Sequence, residues 1–469
     1  MFDERVIAAR QDVLEKRYRS QLPKSGLVRH PIPYIEEWQA RLTPLRDDKG
    51  NYTRKLTSEE EVFSRNEWIL SKIDVPYFLE RYVYINIGGS GLARLYPLWE
   101  SQRIILKKMG DVEYQNFSDG RREGVLVNIL KSRQLGASTL AQSIIAHRMM
   151  FYTHVFGLVA SDVPESSAFM FDMFERVVSN LPWYLKPLVL EHVKNGEMVL
   201  DNWSHIWVGS GRSTRGVEGK RGQLGRGRTI SALTLSELST WEDAAQINGS
   251  LLPAVPYSPR VIWINESTAK GRHNEWHKHW LSSESGHGRF RNIFVPWYVE
   301  PKKYSLPAPT EWTPLDSTLS HSARCVEDSP RFMGHRVELS RNQLYWYERT
   351  RTAYEDRDEL ATFMEEYAAD PESAFQFSGK GVFSLKVQQR IRDAMKPPLA
   401  VIRIDSNARL TDPFYRERSQ GNAGELPPVQ IDNIAIRPGF GMQVLSRAER
   451  DQLESYRDHL SLWEPPRKG

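Results

Sequence analysis

Between about residues 96 and 300, short apolar runs recur at Val125–Leu130, Val155–Ala160, His205–Val208, Ile230–Leu235, Val261–Ile264 and Phe290–Val295. Segments of helical composition, such as Pro164–Leu181 and Trp241–Leu252, lie between several of them. Strands alternating with helices predict an α/β fold: a mostly parallel central sheet with helices on both faces. Ligands of such sheets bind where the carboxyl ends of the strands open. The N-terminal residues read as helix with irregular connections. Ser58-Glu59-Glu60-Glu61 before Val62 and Phe63 has a capping-box pattern, and Pro76 is expected to interrupt the helix it starts. Residues 300–345 are Pro-rich and then mixed, and a helical stretch follows from Asn342 to Ala369. Beyond Pro397, short strands are expected at Val401–Ile404 and Val429–Ile436, around the polar segment Ser419–Glu425. The divisions predicted are a helical region over 1–75, a core over 76–300, a lid or linker over 301–400 and an extension over 401–469.

A chain of 469 residues accommodates two or three packed units. Its 40% hydrophobic and 26% charged residues are ordinary for a soluble globular protein. No stretch approaches the roughly 18 apolar residues of a membrane span, and the mixed charges of MFDERVIAARQDVLEKRYRS exclude a signal-peptide core. One cysteine, Cys325, excludes an internal disulfide framework. The net charge of +4 does not by itself imply a nucleic-acid partner. The cations are uneven, though: Arg212, Arg215, Lys220, Arg221, Arg226 and Arg228 face Glu218 alone between Gly209 and Arg228.

The most informative segment runs Val127-Asn-Ile-Leu-Lys-Ser-Arg-Gln-Leu-Gly-Ala-Ser-Thr139. An apolar strand enters a turn holding Gly136, and a helix begins near Ser138. Backbone N–H groups and the dipole at such a helix start cradle phosphate. The usual loop reads G-x-x-x-x-G-K-[ST]. Gly136 and Ser138 keep its later glycine and its magnesium-binding hydroxyl, while Ala137 stands at the lysine and Lys131 at the first glycine. One reading is a strand–turn–helix with incidental glycine and serine. The other moves the cation, so that Lys131 or Arg133 meets the charge that phosphoryl transfer spreads over the γ-phosphate oxygens.

About a hundred residues on, Ile230-Ser-Ala-Leu-Thr-Leu-Ser-Glu237 is an apolar strand ending in a polar residue and a carboxylate. P-loop ATPases place an acid near magnesium and a glutamate near the attacking water in this way. Ser236 replaces the usual aspartate, so its help to a metal would pass through water, and Glu237 is the candidate general base. Val261-Ile-Trp-Ile-Asn-Glu-Ser-Thr-Ala-Lys-Gly271 is another strand ending in small polar residues, read either as a plain strand-end turn or as placing Thr268 or Ser267 to sense a γ-phosphate.

Taken in order, these segments resemble the large terminase subunits of tailed bacteriophages. KSRQLGAST is similar to their variant phosphate loop, TLSE to their second motif and NESTAKG to their coupling motif. Tyr96-Pro-Leu-Trp-Glu-Ser-Gln102 resembles their adenine-side motif, Asp74–Tyr82 their lead-in, and Glu365-Glu-Tyr-Ala-Ala-Asp-Pro-Glu-Ser-Ala-Phe375 the stretch after their motor core. The resemblance covers roughly residues 62–385 and departs from the commonest pattern at Ala137 and Ser236.

It implies a P-loop ATPase that drives double-stranded DNA into a procapsid. ATP would lie along Lys131, Arg133, Gln134, Gly136, Ala137, Ser138 and Thr139, with Gln102 at the adenine and Thr268 at the γ-phosphate. Mg2+ would sit near Ser138 and Ser236, Glu237 would act on the water, and Arg212 or Arg215 would serve as arginine finger. The same loop has two other readings, a solvated loop or a DNA contact. The implied partners are DNA, the portal and procapsid, a small terminase subunit and further copies in a ring, commonly of five. The implied location is the host cytoplasm and, transiently, the portal, with no membrane. Leu462-Trp-Glu-Pro-Pro-Arg-Lys-Gly469 resembles the stretch before the family's nuclease domain, which is therefore expected to be absent. Asp405, Asp412 and Asp432 are expected to be solvated. The rival readings are a helicase or repair ATPase and a nucleotide-binding scaffold that does not hydrolyse.

Overall fold

The structure is a computed structural model. It describes residues 1–375 except 48, 89, 194–195, 212–228, 243, 273 and 287, and beyond 375 only the backbone of five short strands. The chain divides into two compact units, Met1–Leu385 and Lys386–Gly469. Among the described residues, no helix is long and apolar enough to cross a membrane.

The first unit opens with helices α1 (Glu4–Tyr18), α2 (Ile32–Leu42), α3 (Ser58–Ile73) and α4 (Val75–Tyr82). The cap of α3 is Thr57 rather than Ser58. Its hydroxyl accepts the Glu60 N–H at 3.3 Å, and the Glu60 carboxylate accepts the Thr57 N–H at 2.8 Å. This register lets the buried Glu60 also pair with Arg54 at 2.8 Å and Arg41 at 3.3 Å, which a box closed by Glu61 would forgo. Helix α3 ends at Ile73, interrupted as expected just ahead of Pro76. Pro76 itself lies in the first turn of α4, where its missing N–H costs nothing, and Asp74 caps that turn through the Tyr77 N–H at 2.9 Å.

A hairpin of β1 (Tyr84–Ile87) and β2 (Gly91–Arg94) leads to α5 (Glu100–Ser118). The alternating part then follows: β3 (Val125–Lys131), α6 (Ala137–Phe151), β4 (Phe156–Ser161), α7 (Pro164–Asn180), β5 (Val189–Val193), β6 (Glu197–Leu200), β7 (His205–Ser210), β8 (Ala232–Ser236), α8 (Ala244–Leu251), β9 (Ile262–Ser267), α9 (Glu275–Glu284) and β10 (Arg291–Val295). Each of the six predicted apolar runs supplies a strand. Eight strands form one sheet in the order β10-β3-β9-β8-β4-β7-β6-β5. The first six are parallel, and β6 and β5 join antiparallel. The fold is thus α/β, with the mostly parallel, helix-flanked sheet that the sequence predicts.

Strands β3, β8 and β9 are buried along their whole length, as central parallel strands covered on both faces must be. Hydrophobic burial does not by itself fix the register of such strands. A polar ladder does: Asn265 donates to Asn128 at 3.0 Å, Asn128 to Asn292 at 3.2 Å, and the Trp263 indole to Asn265 at 2.7 Å. A one-residue slip would leave these buried amides unpaired and turn every side chain to the other face. The register sets Ser236 beside Glu266, and Glu266 beside Ile129, two residues before Lys131.

Helix α6 packs on α4, α5 and α7 as well as on β8 and β9. Its Leu140, Ile144, Ile145, Met149 and Phe151 are all buried, each worth about 1.5–3 kcal/mol. The loop feeding this helix is therefore held on a stiff support. His147, buried within α6, bonds the Ser71 carbonyl at 2.7 Å, and burial pushes its pKa down to about 3, so it is neutral.

After β10 come α10 (Asp316–Met333), α11 (Arg341–Glu355), α12 (Leu360–Glu366) and α13 (Pro371–Phe375). One hydrophobic core joins Met1, Ile35, Phe63, Leu130, Ile264, Trp297, Tyr347 and Phe363. The predicted helical, core and lid regions, as far as Phe375, all contribute described residues to this cluster, and Ile7, Leu22, Ile69 and Ile73 form a second, smaller one. The predicted helix Asn342–Ala369 is two helices, broken where Asp358 takes a left-handed φ of 57°. In the second unit, β11 (Ala400–Ile404), β14 (Met442–Val444) and β15 (His459–Leu462) form an antiparallel sheet, and β12 (Val429–Ile431) pairs with β13 (Ile434–Ile436). Asp405, Asp412 and Asp432 lie outside the described residues.

Candidate active site

Strand β3 delivers Lys131 to the carboxyl edge of the sheet, and the chain turns back into α6 through residues 132–136. Two left-handed residues make that turn, Gln134 at φ 55° and Gly136 at φ 72°. The left-handed φ at 136 favours glycine, and a Cβ there would stand 2.9 Å from the Gln102 amide nitrogen, the movable end of that side chain. The opposite side of the loop is tied down. The Ser132 hydroxyl donates to the Ala368 carbonyl at 3.1 Å, the Arg133 N–H to the Glu366 carbonyl at 2.8 Å, and the Tyr304 hydroxyl to the Arg133 carbonyl.

A cleft of about 680 Å3 opens above this loop. Lys131, Arg133, Gln134, Gly136, Ala137, Ser138, Thr139, Glu237 and Thr268 all line it. Loop, β8 end and β9 end, far apart in sequence, thus meet at one opening. The Thr139 hydroxyl approaches the Met173 sulfur at 4.0 Å.

At the floor, Lys131 is nearly buried and pairs with two carboxylates, Glu266 at 3.1 Å and Glu237 at 3.3 Å. Burial opposes its charge, but Glu266 and Glu237 more than offset this and raise its pKa above the ordinary lysine value. Glu237 follows β8 in a left-handed conformation, φ 53°. Its carboxyl is raised above the usual range by burial, with Lys131 pulling the other way and Glu266 adding to the rise. A raised carboxyl beside a cation, facing a cleft, fits a proton acceptor.

Glu266 is the residue to which sequence reasoning gives no role. It is fully buried on β9, and its Oε1 accepts from the Ser138 hydroxyl at 2.7 Å and the Ser236 hydroxyl at 2.6 Å. It stands within NESTAKG, one residue before the serine and threonine singled out there. Its signal is the loss of the β8 acid: with serine at 236, some other carboxylate has to serve the phosphate-loop hydroxyl.

Two expected phosphate or base contacts are otherwise engaged. Arg133 pairs with Glu366 at 3.0 Å, at the rim of the cleft. Gln102 is buried, its carbonyl accepting the Trp99 N–H at 3.1 Å and its amide donating to the Gly136 carbonyl at 3.3 Å. It supports the loop from behind, and the exposed aromatic residues near it are Tyr96 and Trp99. Arg212 and Arg215 lie outside the described residues.

The N–H groups opening α6 suit phosphate. The Ser138 and Ser236 hydroxyls with Glu266 make an oxygen-only set of the kind magnesium takes together with phosphate oxygens. Among the described residues, no three His, Cys, Asp or Glu side chains gather to hold a metal unaided.

No protein-family model and no curated protein matches the chain. Solved structures similar to it are phage large terminases. One is the large terminase ATPase domain of Thermus phage P74-26, at 14% identity and TM-score 0.33, covering 55% of this chain and 92% of that one. Another is the HK97 bacteriophage large terminase, at 14% identity and TM-score 0.39, covering 63% and 54%. A third is the large terminase of a thermophilic bacteriophage in complex with ADP, at 11% identity and TM-score 0.30, covering 40% and 45%. The chain thus spans nearly all of the isolated ATPase domain and about half of the other two. At these TM-scores the likeness is a likeness only, and the chemistry of this chain rests on its own cleft.

Proposed function

We propose that this chain is the ATP-hydrolysing part of a large terminase, a motor that drives double-stranded DNA into a viral procapsid. The observation that supports the chemistry best is the meeting of Lys131 at the end of β3, Glu237 just past β8 and Ser138 in the first turn of α6 around one cleft, with β9 between the two strands. The motif order KSRQLGAST, TLSE and NESTAKG supports the packaging role.

ATP lies with its phosphates on the α6 N–H groups, and Lys131 leaves its carboxylates to meet the β- and γ-oxygens. Magnesium, when bound, neutralises the developing phosphate charge, and Ser138 is the hydroxyl placed to hold it. Glu237 orients a water towards the γ-phosphorus and accepts its proton as the new P–O bond forms and the bond to the β–γ bridging oxygen breaks. Thr268 faces the same space and is suited to register loss of the γ-phosphate. Arg212 or Arg215, from the same or a neighbouring copy, supplies the remaining positive charge. The working assembly is a ring of copies on the portal of the procapsid, in the host cytoplasm. DNA and a small terminase subunit are its other partners, and no membrane takes part.

The test is magnesium-dependent ATP hydrolysis by the wild type beside Glu237→Gln, each with and without DNA. Turnover that falls about 10²–10⁴-fold in the variant, with ATP binding retained, supports the reading. Equal turnover removes Glu237 as the base. ATP binding without phosphate release in the wild type, even with portal and procapsid added, favours the non-hydrolysing scaffold. Arg215→Ala should abolish most DNA stimulation, and unchanged stimulation excludes that arginine.

A further inference from the structure

The strand that ordinarily ends in the metal-site aspartate ends here in Ser236, which leaves the phosphate-loop hydroxyl without its usual acid. We infer that Glu266, one strand over on β9, is the acid of the magnesium site, acting as a positioning residue through Ser138 and water. This inference rests on the ATPase reading above.

Three observations carry it. First, the hydroxyls of Ser138 and Ser236 both donate to the same Glu266 oxygen, at 2.7 and 2.6 Å. A serine oxygen that turns a lone pair to a cation still needs an acceptor for its proton, and Glu266 already supplies one. That acceptor makes the Ser138 oxygen a better ligand, as carboxylates behind metal-bound groups generally do. Second, Glu266 is fully buried within a parallel strand whose register is fixed on both sides. The carboxylate is therefore preorganised, whereas Glu237 lies past the end of β8 with its side chain 37% exposed. The two acids divide the work: the buried one faces the metal-binding hydroxyl, the exposed one faces the water. Third, Ser236 cannot replace the acid, because a neutral hydroxyl brings no charge to set against a cation; it donates to the same Glu266 oxygen as Ser138 does.

A plain structural role for Glu266, as the counter-ion of Lys131, predicts the same burial but no link to the metal. Metal dependence separates the two. A fluorescent ATP analogue is titrated into the full chain in EDTA and then in magnesium, and Mn2+ binding in the presence of ADP is followed by electron paramagnetic resonance. Glu266→Gln should lower Mn2+ affinity about 10–100-fold, so that the gain in nucleotide affinity on going from EDTA to magnesium shrinks by the same factor. Adding Ser236→Asp to that variant returns an acid to the usual strand and should recover metal affinity. Should the glutamine variant not fold, Glu266→Asp keeps a charge beside Lys131 but withdraws the carboxylate by one methylene, and it should show the same loss in milder form. Wild-type Mn2+ affinity in either folded variant overturns the inference and leaves the ATPase reading standing. A wild type that binds no nucleotide at all overturns both.

Discussion

Replacing Lys131 by methionine tests the floor of the cleft directly. In the wild type one ammonium compensates two carboxylates, at 3.1 and 3.3 Å, each contact an attraction of about 5 kcal/mol at an effective dielectric near 20. Lys131→Met cannot cost that much. Glu237 can turn to water, and the folded variant can take a proton onto the orphaned, fully buried Glu266. That escape costs about 1.4 kcal/mol for each pH unit above the ordinary carboxylate range, hence about 4 kcal/mol at pH 7 and about 1 kcal/mol at pH 5. The sign is fixed, because the folded variant binds one proton more than its unfolded chain, so its stability falls as pH rises. Urea melts at both pH values read the difference. Adding Glu266→Gln removes the stranded charge and should recover most of the loss at pH 7. A loss that is equal at both pH values, or a double variant no better than the single one, would refute the electrostatic account.

Gly136→Ala should cost about 1–2 kcal/mol for the left-handed backbone, with the Gln102 amide 2.9 Å from the new Cβ shifting to make room; nucleotide titration and thermal melts check it, and wild-type affinity counts against the loop geometry. Glu365 lines the cleft, and burial raises its pKa to about 7 against a Gly271 N–H that favours the charge. Its protonated form is the one the fold prefers, so the stability it gives is present below the ordinary carboxylate range and lost as pH rises to 7. Glu365→Gln should therefore raise the melting temperature at pH 8 and leave it unchanged at pH 5. Lys72, flanked by Trp68 and Tyr152, is lowered to about 8 by burial and by Arg17, Arg260 and Arg148. At pH 8 it should be acylated faster than exposed lysines, as peptide mass spectrometry would show.

The central sheet is legible in the sequence because its buried parallel strands are continuous apolar runs, a signal that needs no partner to be read. Helix α10 is not. Its buried face runs through Thr318, His321, Cys325 and Ser329 to Phe332 and Met333, so large apolar side chains mark it only at its C-terminal end. The hairpin β1–β2 escapes notice for a related reason, since its strands are four residues long and largely exposed. In the cleft, Lys131, Ser138 and Glu237 can be placed from spacing alone, because each sits at the end of a strand or the start of a helix. Glu266 cannot, since its meaning depends on which strand lies beside β8, and strand order is a property of the folded sheet. Gln102 and Arg133 are recognisable as neighbours of the loop, but their hydrogen-bond partners at residues 99, 136 and 366 are decided by packing.

The shared lysine makes the cleft an interlock. On the proposed ATPase reading, Lys131 holds Glu237 until phosphate arrives, which keeps the proton acceptor occupied and away from stray water. A phosphate that draws Lys131 away arms Glu237 by the same displacement, and linkage makes the relation reciprocal. On the same reading, a change that tightens the Lys131–Glu237 pair in the empty cleft weakens nucleotide binding, and one that loosens it frees Glu237 before nucleotide arrives.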